Sequence, residues 1–291
     1  MKGNWLGTDS PSLRGKTVVL TGATGGLGSA MCRCLLQWGA RIIMVTRNKE
    51  KSRMLCEQLQ QEFPGCQVSF LLSDFEHIDQ VKAVCRQLVE EPVDFLMLNA
   101  GTYALPRKLC SCGYDNVFTT NFISHYMMVK ELLPLLRQRK AKVVVTGSIS
   151  HHFSQSDPND IDFSHHAGAN IVYGNSKRYL MFALMELLSR EKDVDFAIGH
   201  PGISFTGITA HYPRGLLLIV KPSMKVVFMA PGKACRSMLR AIFEDVPYMH
   251  WIGPRFQEIW GNPRTAALTT CSRQERQEIL RRAETIYEEL K

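Results

Sequence analysis

No stretch of this 291-residue chain approaches the ~18 consecutive apolar residues that a membrane-spanning helix needs. Its most aliphatic run, Leu216-Leu217-Leu218-Ile219-Val220, is stopped by Lys221-Pro222. The first twelve residues are polar, include Asp9, and lack an apolar core of signal-peptide length. There is no internal repeat and no low-complexity tract. Cysteine is present nine times but never as Cys-x2-Cys; Cys32 with Cys34 and Cys110 with Cys112 are spaced too closely for a zinc ribbon. A chain this long buries a sizeable core without disulfides or metal, so reduced, mostly buried thiols are expected. These absences point to a soluble, cytoplasmic protein, with peripheral contact to a membrane left open.

Charge is not lacking. The formal net charge is +8, with basic residues at Arg47, Lys49, Lys51 and Arg53 and again at Arg281 and Arg282. Nucleic-acid binding would require aromatic residues interleaved with basic ones on one face, and they are not found, so no nucleic-acid partner is expected. Arg281 and Arg282 read as a solvated helix face. The pairs His151-His152 and His165-His166 fall on predicted loops and read as loop or substrate-rim residues, with no metal expected.

Apolar runs bounded by turn residues predict strands at 17–21, 41–46, 67–72, 93–98, 142–147 and 194–199, with a short last one at 249–252. Helical periodicity falls between them, near 26–38, 48–62, 77–90, 113–137 and 173–191. Such alternation predicts an α/β fold, a doubly wound parallel sheet of Rossmann type in a single domain over 1–291. Residues 203–230 break the rhythm with Gly207, Pro213, Gly215 and Pro222 among apolar residues. They suit a surface helix against the core or a second subunit. Over 272–291, Ile279, Leu280, Ala283, Ile286, Tyr287 and Leu290 form one stripe of an amphipathic helix.

Four motifs carry chemistry. Thr21-Gly22-Ala23-Thr24-Gly25-Gly26-Leu27-Gly28 joins a predicted strand to a predicted helix, the context in which glycines let backbone approach a pyrophosphate. Asn99-Ala100-Gly101 ends the fourth strand, and Ser148 follows the fifth; ligands of open parallel sheets lie at such strand ends. Tyr173 and Lys177 are four residues apart and share one helix face. An ammonium beside a phenol favours the phenolate, which suits a general acid for carbonyl reduction.

In that order these residues resemble the classical short-chain dehydrogenase/reductase family, and Asp160-Ile161-Asp162-Phe163 and Gly113-Tyr114-Asp115-Asn116 resemble its retinol-dehydrogenase-like branch. The resemblance runs from about Lys16 to about Trp260 and takes in Asn121, Pro201, Gly202 and Thr206. It implies a catalytic set of Asn121, Ser148, Tyr173 and Lys177. It implies a cofactor site from Gly22, Thr24, Gly26, Leu27, Gly28, Arg47, Asn48, Asp74, Phe75, Asn99, Ala100, Gly101, Tyr173, Lys177, Pro201, Gly202 and Thr206. Asn121 would kink its helix and hold a water linking Lys177 to solvent, and Asp74 would meet the adenine. The resemblance also implies a lid over the substrate at 203–230. The spacing of Gly22, Gly25 and Gly28 also suits extended members, but chain length, Asn-Ala-Gly and Ser148 favour the classical type.

Arg47 lies 19 residues beyond Gly28 at the end of the second predicted strand, where an acid would select NAD(H). A guanidinium matches a phosphate, so NADP(H) is expected. The implied activity is hydride transfer to or from the carbonyl or alcohol of an apolar substrate, given Leu105, Phe153, Phe205 and the 216–220 run. The substrate could be of steroid, retinoid, lipid or xenobiotic type, and a homodimer is open. The alternative is a non-catalytic dinucleotide-binding regulator, which would lack Ser148, Tyr173 or Lys177.

Overall fold

Alternating residues of the first two strands face opposite sides of one sheet. In β1 (Thr17–Thr21), Val19 joins one apolar cluster while Val18 and Leu20 join a second across the sheet. β2 (Arg41–Thr46) divides likewise, Ile43 and Val45 against Ile42 and Met44. A sheet buried on both faces needs helices on both. The computed structural model, which describes residues 12–103, 106–157, 159–166, 168–202 and 229–291, has them.

The further strands are β3 (Val68–Leu72), β4 (Val93–Leu98), β5 (Lys142–Thr146), β6 (Asp195–Gly199), β7 (His250–Phe256) and β8 (Trp260–Ala267). Their order is β3-β2-β1-β4-β5-β6-β7-β8, parallel throughout except for β8, which runs antiparallel to β7. The helices are α1 (Gly26–Gln37), α2 (Lys49–Glu62), α3 (Ile78–Leu88), α4 (Asn116–Phe118), α5 (Ser124–Arg139), α6 (Ala169–Leu188), α7 (Pro231–Ala234), α8 (Arg236–Phe243) and α9 (Arg273–Leu290). α1, α2 and α8 cover one face; α3, α5 and α6 cover the other. This is the doubly wound sheet that the alternation predicts.

Three boundaries differ from the pattern. The helix expected over 113–137 starts at Asn116 and is interrupted by a π-helical segment, Thr119–Ile123. The helix expected from 173 begins one turn earlier, at Ala169, because Gly168 and Asn170 carry no apolar signal. β8 is not foreseen at all. It holds Gly261, Pro263 and Arg264 and has one strand neighbour among the described residues, an edge position that tolerates proline. The segment 203–230 lies almost wholly outside the described residues, as do Leu105 and Phe205.

α9 lies along α6 and α5 rather than standing alone. Ile279, Leu280, Ala283 and Ile286 are buried, and Glu284 accepts from Tyr126 and from Lys130 at 2.7 Å. Arg282 is not a solvated residue: it is buried, bonded to Glu278 at 2.6 Å and to the Asp157 carbonyl at 2.8 Å, while Arg281 stays exposed. Arg276 pairs with Glu186 of α6 at 2.7 Å. Arg178 of α6, only 2% exposed, donates to Glu275 at 2.7 Å and to the carbonyls of His151 and Thr270.

Removing one partner of a buried ion pair leaves the other charge uncompensated, at a cost of about 3 kcal/mol or more. Glu275→Ala is therefore expected to lower stability by about that amount, read as a shift of the urea midpoint with the slope unchanged. A midpoint within error of wild type would mean that α9 is not tied to α6 through Arg178.

Candidate active site

The strand order reverses between β1 and β4, which opens a crevice beyond their C-terminal ends. The Gly22 turn and Asn99-Ala100 meet there. Gly22 has φ +68°, and a Cβ on it would stand 2.7 Å from the Ala100 Cα. A Cβ on Gly28 would stand 2.4 Å from the Gly22 carbonyl oxygen, so α1 packs directly on the turn. Gly25 has an ordinary φ of −75°. Asn99 fixes the junction by donating its Nδ2 to the carbonyls of Thr21 at 3.0 Å and Gly22 at 3.3 Å. The Asn99 and Ala100 N–H groups donate to Thr21 Oγ1 at 2.8 and 2.9 Å.

The first turn of α1 carries no acidic residue and its N-cap, Gly25, no side-chain cap. Thr24 is half-buried in the turn, and Leu27 is buried under it. Such a bare helix start beside a glycine turn suits a dinucleotide pyrophosphate. At the end of β2, Arg47 is exposed with no ion-pair partner among the described residues. Asn48 caps α2, its Oδ1 accepting from the Lys51 N–H at 2.9 Å. Asp74 uses one carboxylate oxygen to hold the Glu76 N–H at 3.1 Å, and Phe75 is buried.

Across the crevice, α6 lies close on the short turn Ile149–Phe153. A Cβ on Gly174 would meet the Ser150 carbonyl at 2.3 Å, so this glycine lets the helix approach. The approach brings Tyr173 to Ser148. Ser148 caps the turn, its Oγ accepting from the Ser150 N–H at 3.2 Å, and its hydroxyl favours the ionised form of the Tyr173 phenol. Lys177, 2% exposed, donates to the Thr146 carbonyl at 3.1 Å. Gly101 faces the same point, a Cβ there standing 3.3 Å from Asn121 Oδ1 and 3.6 Å from Lys177 Nζ.

Asn121 sits in the π segment, where the Ser124 N–H reaches back to the Thr119 carbonyl. The expected helix irregularity is thus a widened turn. Asn121 Oδ1 accepts from the Thr102 N–H at 2.7 Å, and Nδ2 donates to the Thr102 carbonyl and to Ser176 Oγ, both at 2.9 Å.

The electrostatics differ from the sequence expectation in one respect. Burial pushes the Tyr173 phenol up to about 12, with only partial relief from Ser148. The Lys177 ammonium stands 5.9 Å from the tyrosine ring centroid, directed at a carbonyl, and burial lowers it to about 8. Desolvation dominates at both groups, keeping the phenol protonated and weakening the ammonium.

Three histidines are buried around the site, two of them, His125 and His200, without a signal in the sequence. His125 is fully buried and bonds at both ring nitrogens, to the Asn121 carbonyl at 3.1 Å and to Thr21 Oγ1 at 3.2 Å. His151 is not a rim residue: it is buried beneath Ser148, bonding that residue's carbonyl at 2.6 Å, and burial lowers it to about 3. His200 stacks on Trp251, ring centroids 4.8 Å apart, against Gly147 and Glu258 carbonyls. Apolar periodicity conceals the burial of all three, since a buried neutral histidine reads as an interruption. His152 and Phe153 are exposed, and His165 and His166 flank Asp160. Gly202 has φ +73° and packs on the Ile259 carbonyl, which holds Pro201-Gly202 against the β7–β8 hairpin. Thr206 lies outside the described residues. No cluster of metal-ligating side chains occurs among the described residues, nor is any helix there long and apolar enough to cross a membrane.

Comparison with known proteins agrees with this geometry. Residues 16–157 match the family model of short chain dehydrogenases. Human retinol dehydrogenase 14 is 29% identical over 242 residues, 77% of this chain and 71% of that protein. Mouse polyprenol dehydrogenase is 24% identical, covering 88% and 79%. Among solved structures, an uncharacterised protein from Mycobacterium paratuberculosis superposes with TM-score 0.71 at 25% identity, covering 97% of this chain and 95% of that one. A short-chain dehydrogenase from Sphingobium yanoikuyae in complex with NADPH gives 0.59 at 20% identity, covering 77% and 82%, and shares the fold. The sheet order, the motif order and these relatives converge: the chain belongs to the short-chain dehydrogenase/reductase family, in its retinol-dehydrogenase-like branch, and is an NAD(P)-dependent oxidoreductase.

Proposed function

We propose that the protein transfers hydride between NADP(H) and the carbonyl or alcohol carbon of an apolar substrate. The observation that carries this reading is the convergence of Asn121, Ser148, Tyr173 and Lys177 beside the Gly22–Gly28 cradle. Gly22, Gly26 and Gly28 would admit the pyrophosphate at the start of α1, and Asn99, Ala100 and Gly101 would line the opposite wall. Pro201, Gly202 and Thr206 would border the nicotinamide. When bound, the nicotinamide supplies or accepts the hydride.

In reduction Tyr173 holds a proton at its phenol oxygen and gives it to the forming alkoxide. Ser148 Oγ donates to the same oxygen, favouring the charge as it develops. Lys177 would leave the Thr146 carbonyl for the ribose hydroxyls, bringing its charge to the tyrosine. Asn121 anchors the loop at Thr102 and the helix at Ser176, which keeps these groups in register. In oxidation the proton travels the other way.

Arg47 supports NADP(H): an exposed guanidinium stands at the end of β2, where an acid would repel a 2′-phosphate. The solved relative from Sphingobium binds NADPH. An apolar substrate is supported by the exposed Phe153 beyond Ser148 and by the aliphatic 216–220 run. Two relatives are named for retinol and polyprenol, both long apolar alcohols. Peripheral membrane contact or a homodimer through the 203–230 segment is compatible with this reading.

Tyr173→Phe is expected to lower kcat by about 10³-fold or more with cofactor binding retained. Steady-state rates on a panel of ketones, aldehydes and alcohols, alongside fluorescence titration of NADPH, give the comparison. Turnover within a few-fold of wild type would remove Tyr173 from the chemistry.

Arg47→Asp is expected to raise the Kd for NADPH by tenfold or more and to leave NADH binding equal or improved. Lys49 and Lys51 can compensate in part. An unchanged ratio of the two affinities would make Arg47 a surface charge.

The shift at Lys177 has a sign. The ammonium, which donates to the cofactor, is lost as pH rises through about 8 in the free protein. Binding favours the protonated amine, so affinity should be full below about 8 and decline above it. In Lys177→Met that decline should vanish. A wild-type affinity flat from pH 7 to 9.5 would refute the assignment.

A further inference from the structure

His125 is a buried titratable group that the proposed chemistry does not use. It has zero exposure, and its ring lies edge-on to Phe75 at 4.9 Å between centroids. Both ring nitrogens are within hydrogen-bond distance of protein atoms, and the chemistry of those atoms decides the tautomer. The Asn121 carbonyl, 3.1 Å from Nδ1, can only accept, so Nδ1 carries the hydrogen. In the neutral ring Nε2 is then an acceptor, and the Thr21 hydroxyl at 3.2 Å must donate to it. The lone pairs of Thr21 Oγ1 are left for the Asn99 and Ala100 N–H groups at 2.8 and 2.9 Å. The alternative acceptor for that hydroxyl, the Met97 carbonyl, is more distant at 3.4 Å.

The polarity therefore runs one way, from the Asn99 and Ala100 amides through the Thr21 hydroxyl and the His125 ring to the Asn121 carbonyl. At one end is the Gly22 turn, whose Thr21 and Gly22 carbonyls are held by Asn99. At the other is the π segment, whose Asn121 amide holds Thr102 and Ser176; Ser176 Oγ in turn donates to the Tyr173 carbonyl at 2.7 Å. We propose that His125, locked as the Nδ1–H tautomer between Thr21 and Asn121, is a positioning residue that couples the dinucleotide cradle to the proton-transfer group. It acts through Thr21 and Asn121 and touches neither substrate nor cofactor. A plain core residue of the same volume would fill the space without directing the Thr21 hydroxyl or holding the widened turn by its carbonyl. The inference rests on the oxidoreductase reading above.

Two substitutions separate the two bonds. An asparagine amide reaches about as far as Nδ1, and a glutamine amide about as far as Nε2. His125→Asn retains the donor to Asn121 and releases Thr21, so the NADPH Kd should rise about tenfold with kcat near wild type. His125→Gln retains the partner of Thr21 and releases Asn121, so kcat should fall about tenfold with the NADPH Kd near wild type. Thermal unfolding without cofactor gives the stability loss of each. Equal effects of the two variants on Kd and kcat, tracking their loss of stability, would show a space-filling role and overturn the proposal. Imidazole ¹⁵N NMR of the wild-type protein without cofactor reads the tautomer directly, even if neither variant folds. The Nδ1–H form is expected, and the Nε2–H form would overturn the proposal. A failure of the oxidoreductase reading would instead appear as no NAD(P)-dependent turnover by the wild-type protein on any ketone, aldehyde or alcohol, with the ¹⁵N result unaffected.

Discussion

The contact between Gly22 and Ala100 admits no side chain, and the architecture of the site depends on it. A Cβ on Gly22 would stand 2.7 Å from the neighbouring backbone, closer than real Cβ atoms come. With that approach allowed, Thr21 reaches the Asn99 and Ala100 amides and Asn99 reaches back to the carbonyls of the turn. The ends of two neighbouring parallel strands are thereby joined where the strand order reverses. Everything that would meet a dinucleotide is measured from that junction: α1 ahead of it, Gly101 and Asn121 beside it, and Lys177 across it.

A second close approach, at Gly174, sets the other wall. α6 lies on the turn after Ser148, and the result is a phenol and a hydroxyl in a desolvated pocket. Desolvation has opposite consequences for the acid and the base. The tyrosine is raised and the lysine lowered, so both are driven toward neutrality. Below about pH 8 the lysine nonetheless keeps its ammonium.

The back of α6 is held as firmly as its front. Arg178, one residue beyond Lys177, points away from the site and is bonded to Glu275 of α9 and to the His151 carbonyl. His151 in turn holds the carbonyl of Ser148. The C-terminal helix therefore supports the proposed active site from behind, and its Arg276 and Arg282 are bound to the domain while Arg281 stays exposed. This accounts for part of the positive charge that composition alone leaves open.

Local features were legible because they depend on few residues. Strands buried on both faces must be apolar, a turn that passes close to backbone must be glycine, and groups sharing a helix face must be spaced by four. Those rules placed β1 to β6, the Gly22–Gly28 turn and the Tyr173–Lys177 pair without reference to anything distant. The edge strand β8 was not legible, because an edge tolerates Gly261, Pro263 and Arg264 and so carries no apolar signal. Nor were His125, His151 and Arg178, polar residues whose partners lie far away in the chain and whose burial is tolerable only because those partners exist. The sequence alone determined the sheet, the motifs and their order. Only the tertiary structure decided the desolvation of Tyr173 and Lys177, the docking of α9 and the hydrogen-bond partners of His125, because each depends on groups that chain folding alone brings together.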